Sequence, residues 1–94
     1  SLTRSYELDS SNPATAFNLA TVLYREQEFE RARFYIRRVN AVSAQVTAES
    51  LWLAVRIEHR LSNIAGRDEL AAQLRSRFVG TREANLLELG RFDD

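Results

Sequence analysis

Displacing the sequence along itself by 34 residues brings Leu19-Ala20 onto Leu53-Ala54, Leu23 onto Ile57, Ala32 onto Gly66 and Ile36 onto Leu70. A second displacement of the same length puts Leu53 on Leu87 and Ser50 on Ala84. Large apolar residues fall on large ones and small residues on small ones. Stacked helical hairpins need such a code. Small side chains are required where helices approach to roughly 8–10 Å, and large apolar ones fill the space between them. Ala20 and Ala32 take the small positions in the first unit, Ala54 and Gly66 in the second. The competing explanation is an ordinary four-helix bundle whose repeat is accidental.

Punctuation residues divide the chain into helices. Asn12-Pro13 reads as an N-cap followed by the first helical residue, with apolar spacing of three and four from Ala16 through Tyr24. Gln27 and Glu28 interrupt the pattern, and Phe29, Ala32, Ile36 and Val39 resume it in a second helix from about Phe29 to Asn40. A polar, small-residue connection from Ala41 to Val46 follows. Thr47 is a candidate cap for a third helix, Asn63 for a fourth and Thr81 for a short fifth. Gly80 closes the fourth, Gly90 the fifth. No stretch alternates as a strand would, so the fold class is all-α.

A helix–turn–helix unit of 34 residues with this small/large code is the tetratricopeptide (TPR) pattern. The expected architecture is a TPR solenoid segment of about four full helices, with partial helices at both ends. Residues 1–11, including Tyr6-Glu7-Leu8-Asp9, read as the end of a preceding repeat. Residues 13–46 and 47–80 read as repeats, 81–90 as a capping helix and 91–94 as an acidic tail, the whole as a fragment of a longer chain. The apolar face of the Pro13 helix is expected to have lost its upstream neighbour and to self-associate unless covered.

Composition narrows the function. The chain has 94 residues, room for one small core, with 45% hydrophobic and 28% charged residues, as in a globular protein. Thirteen arginines balance thirteen acidic residues, so net charge is zero and a strongly basic nucleic-acid binder is disfavoured. Cysteine is absent and His59 is the single histidine, which excludes thiol chemistry and paired-histidine metal sites. No apolar run approaches the roughly 20 residues of a membrane helix. There is no glycine-rich phosphate loop and no nucleophile elbow. Glu26, Glu28 and Glu30 have no acid partner in view. The reading is of a non-catalytic chain without cofactor or metal.

Three stretches carry a family resemblance: Leu19-Ala20-Thr21-Val22-Leu23-Tyr24, then Glu28-Phe29-Glu30-Arg31-Ala32-Arg33-Phe34-Tyr35, then Ala48-Glu49-Ser50-Leu51-Trp52-Leu53. With the later run from Leu70 to Phe78, they resemble the C-terminal repeats of the type IV pilus biogenesis/stability lipoprotein family (PilF/PilW). The resemblance spans roughly Asn12 to Leu89. It implies a periplasmic lipoprotein anchored to the outer membrane through a lipidated cysteine upstream of this chain. It also implies a pilotin-like role, with the pilus secretin or another pilus assembly protein as partner. The alternative is a TPR adaptor of an unrelated, cytosolic pathway.

TPR hairpins present the first helix of each pair to a partner. In the 34-residue register, the first groove helix offers Phe17, Thr21, Tyr24 and Arg25. The second offers Leu51, Val55, Glu58 and His59, and the truncated third offers Arg82, Asn85 and Leu89. Apolar residues at Phe17, Leu51 and Val55 disfavour capture of a peptide's terminal carboxylate and favour an apolar peptide or helix. Phe17 and Leu51 have the alternative of packing between hairpins. Trp52 is either an interface anchor or a junction residue. His59 is either a pH-sensitive contact or a solvated surface residue. Arg31, Arg33, Arg37 and Arg38 make a mixed-charge outer face with Glu26, Glu28 and Glu30, and Glu30 is placed to pair with Arg33.

Overall fold

A computed structural model describes residues 13–42, 46–90 and 92. The expected cap at Asn12, the partial repeat over 1–11 and the acidic Asp93 and Asp94 lie outside them. Five α-helices follow in order: α1 Pro13–Arg25, α2 Phe29–Asn40, α3 Ala48–Arg60, α4 Ile64–Arg77 and α5 Arg82–Glu88. No strand occurs among the described residues.

Helix starts follow the predicted caps. Thr47 is extended at φ −130° and ψ 168°, and its hydroxyl accepts from the Ser50 amide at 3.0 Å. The Thr47 amide donates back to Ser50 Oγ at 2.8 Å, so two backbone donors are satisfied reciprocally. Asn63 Oδ1 accepts from the Gly66 amide, and Thr81 Oγ1 accepts from Ala84. Gly80, at φ +83°, ends the chain's passage out of α4 in a conformation that costs glycine nothing.

Each helix packs mainly on the next, α1 on α2 and α3 on α4, while α3 touches all of the other four. The core has two parts. Ala16, Leu19, Ala20 and Leu23 of α1 meet Ala32, Tyr35, Ile36 and Val39 of α2 together with Leu53, Ala54 and Ile57 of α3. Leu51, Trp52 and Val55 on other sides of α3 meet Ala71 and Leu74 of α4 and Ala84 and Leu87 of α5. Ala20 and Ala32 are completely buried, as the small positions require. Gly66 is small for a different reason: a Cβ there would stand 2.7 Å from Asn63 Nδ2. It makes room for the cap side chain, not for a neighbouring helix. The apolar stripe expected to lie open on α1 is not open. Its Ala16, Leu19, Ala20 and Leu23 are buried because they face α2 and α3.

The two hairpins are equivalent at a spacing of 35 residues, not 34. Helices α1 and α3 begin at Pro13 and Ala48, and α2 and α4 at Phe29 and Ile64. The turns match in detail. Gln27 and Ser62 take positive φ of 65° and 61°. The Gln27 amide donates to Tyr24 O and the Ser62 amide to His59 O. Glu28 then donates to Leu23 O, and Asn63 to Glu58 O. Between the second unit and the third the interval returns to 34, from the Thr47 cap to the Thr81 cap. One additional residue in the first unit moves every α1–α3 correspondence by one position, about 100° around a helix.

Candidate functional site: a cleft along the first helices

The one-residue difference decides which side chains line the face of α3. At 35 residues, Ala16 corresponds to Leu51 and Ala20 to Val55. All four are buried, and Leu51 and Val55 have 0% exposure. Both were expected in the groove. They are instead core residues of the α3–α4–α5 cluster. Glu58, also expected there, corresponds to Leu23 and is 3% exposed. Its Oε2 accepts from Arg33 Nε and its Oε1 from Asn63 Nδ2, each at 3.0 Å. Arg33 therefore pairs across the hairpin junction, not with Glu30 on its own helix.

The positions that correspond to Phe17 and Thr21 are Trp52 and Arg56. With Arg25 and Leu53 these line a cleft of about 410 Å³ between α1, α3 and α5. Glu49 lines it from the start of α3, and Arg82, Glu83 and Leu86 line it from α5. Phe17, Trp52 and Leu86 thus form an apolar row contributed by three successive first helices. Arginines and two glutamates border it. Of the residues expected in the groove, the structure brings together Phe17, Thr21, Arg25 and Arg82. Asn85 lies in a separate depression with Arg75, Val79 and Glu88. Leu89 is exposed and is not part of the cleft lining. Thr21 presents little polarity, since its hydroxyl donates to the Phe17 carbonyl at 3.0 Å.

Tyr24 and His59 lie in corresponding positions beside the cleft. The Arg56 guanidinium stands 4.7 Å from the Tyr24 ring centroid, and Phe29 meets the same ring edge-on at 5.6 Å. The Tyr24 hydroxyl oxygen is buried and has no hydrogen-bond partner among the described residues. His59 is half-buried, not a fully solvated surface histidine. Its Nδ1 lies 3.1 Å from Arg67 Nη1. A guanidinium can only donate, so Nδ1 accepts and the ring proton sits on Nε2.

Phe92, which the sequence pattern did not mark, is the unexpected participant. Beyond α5 the chain turns at Gly90, with φ +70°, and places Phe92 against α3. The Phe92 ring stacks on His59 at 4.4 Å and 23°, and on Trp52 at 5.9 Å and 26°. The Arg67 guanidinium stands 5.2 Å from its centroid, and Arg56 Nε donates to its carbonyl at 3.3 Å. Trp52, 5% exposed, therefore serves both as a junction residue and as a wall shared by the cleft and Phe92.

Among the described residues, no helix is long and apolar enough to cross a membrane. No group of acidic or histidine side chains among them is arranged to hold a metal ion. No protein-family model matches the chain, and neither does a curated protein or a solved structure.

Proposed function

We propose that this chain is a non-catalytic protein-interaction scaffold of tetratricopeptide type that captures a partner segment along the α1–α3–α5 cleft. The carrying observation is the row Phe17, Trp52 and Leu86, one residue from each successive first helix, in a cleft bordered by Arg25, Arg56 and Arg82. An apolar row with a charged border is the anatomy of a peptide-binding surface, because buried apolar anchors supply affinity and polar rim contacts supply register. The recurring capped hairpins support the tetratricopeptide assignment.

The partner we propose is the secretin of a type IV pilus, with the chain acting as a pilotin-like aid to secretin assembly on the periplasmic face of the outer membrane. Support for this partner comes from the stretches of α1, α2 and α3 that resemble the pilus biogenesis/stability lipoproteins. The test is a pull-down of secretin from the same organism by the full-length protein, alongside an assay of secretin multimers in a deletion strain. Co-purification and loss of multimers are expected. Unchanged multimers with no co-purification would remove the pilus assignment.

A further inference from the structure

The seat of Phe92 has the features of a recognition site. Four side chains from two helices converge on one ring: Trp52 and His59 stack on it, and Arg67 faces it. Arg56 holds the backbone carbonyl of the same residue. Aromatic faces and guanidinium groups together select an aromatic ring, since the ring quadrupole attracts cations and stacks on other rings. The surroundings are cationic, with Arg56 and Arg67 at the seat and Arg25 and Arg82 along the adjoining cleft. The sequence that occupies the seat has matching chemistry, because Phe92 is followed directly by Asp93 and Asp94. Phe92 is only half-buried, and a single 3.3 Å hydrogen bond holds its backbone to α3.

We propose that Trp52, Arg56, His59 and Arg67 form a binding site for an aromatic residue adjacent to carboxylates in a partner protein. Phe92 is its resident intramolecular occupant, which the partner segment displaces. The proposal rests on reading the chain as an interaction scaffold and names the partner chemistry of its cleft. Trp52 and Arg56 line both seat and cleft, so a segment that displaces Phe92 runs on into the row of Phe17 and Leu86. The tether makes Phe92 a strong competitor. A few residues separate it from α5, which sets an effective concentration on the order of millimolar. A site occupied by its own tail about nine-tenths of the time binds an external segment about tenfold more weakly than a vacant one.

The experiment is fluorescence anisotropy with a fluorescein-labelled synthetic peptide copying residues 89–94 as the probe. One control peptide carries alanine in place of the phenylalanine, and a second carries asparagine in place of both aspartates. The protein is the 94-residue chain, as wild type, Phe92→Ala and Phe92→Ala with Arg56→Ala. Phe92→Ala is expected to bind the probe about tenfold more tightly than wild type. Both control peptides should bind more weakly, and the added Arg56→Ala should remove most of the gain. Equal affinity of Phe92→Ala and wild type, or equal binding of probe and alanine control, would overturn the proposal. Should Phe92→Ala fail to fold by circular dichroism, the wild-type protein still answers. Trp52 is the only tryptophan, so displacement of Phe92 by the probe changes its emission saturably. No change, or the same change with the alanine control, overturns the site. Failure of the secretin pull-down with the probe still binding would remove the partner's identity and leave this site standing. The reverse outcome would remove the site alone.

Discussion

Arg33 Nε on α2 lies 3.0 Å from Glu58 Oε2 on α3, and the carboxylate side chain keeps only 4% of its exposure. Asn63, the cap of α4, donates to the other carboxylate oxygen, while Arg37 stands farther off at 3.7 Å. One buried carboxylate thus ties together the second helix of the first hairpin, the first helix of the second and the turn that follows. A buried charge costs desolvation that its partners must offset, so removing one partner hurts more than removing the pair. Arg33→Met should destabilise the protein by about 2 kcal/mol, below the buried-pair limit because Arg37 and solvent near the partly exposed Arg33 compensate. Adding Glu58→Gln to Arg33→Met should recover at least half of that loss. Urea denaturation of the two single variants and the double variant checks the coupling.

Leu51 and Phe17 should separate stability from binding, although the 34-residue register makes them equivalent. Leu51 has 0% exposure in the α3–α4–α5 core, so Leu51→Ala should cost about 3 kcal/mol. Phe17 is half-buried in the cleft wall, so Phe17→Ala should cost about 1–2 kcal/mol and weaken partner capture disproportionately. Thermal melts and pull-downs on the same two variants make the comparison.

Gln27 and Ser62 hold a left-handed conformation that residues with a Cβ adopt at a cost. Gln27→Gly and Ser62→Gly should each stabilise the protein by about 0.5–1 kcal/mol, the relief of strain exceeding the added freedom of the unfolded chain. The two turns are separate, so the gains should add. An alanine at either position gives no such relief. Denaturation midpoints of the single and double glycine variants provide the measurement.

Thr47 begins α3, the helix that touches every other one. Thr47→Ala removes the acceptor for the Ser50 amide and should cost about 1 kcal/mol. Thr47→Ser keeps that acceptor and should stay within about 0.5 kcal/mol of wild type. Thermal unfolding followed at 222 nm in circular dichroism distinguishes the two.

Much of the helical plan was legible because its determinants are local. Caps at Thr47, Asn63 and Thr81 act within three residues, and the observed Phe29–Asn40 helix has the predicted ends. The groove of α3 was misread because residue size and helix register disagree. Matching large on large favours 34 residues, yet the hairpins exchange volumes, Ala16 for Leu51 and Leu19 for Ala54, and superpose at 35. Two sequence signals carried the true register: the candidate caps Asn12 and Thr47, and the polar turns Gln27-Glu28 and Ser62-Asn63, are each 35 residues apart.

Local chemistry therefore determined the all-helical class, the helix boundaries and the small positions at Ala20 and Ala32. Tertiary packing decided which face of α3 is buried, that Glu58 is an internal ion-pair partner and that Phe92 rests on Trp52 and His59. The reason is range. A cap or turn is settled by neighbours within a few residues, whereas Arg33 reaches Glu58 across 25 positions and Arg56 reaches Phe92 across 36. Pairings at that distance exist only once the hairpins have docked.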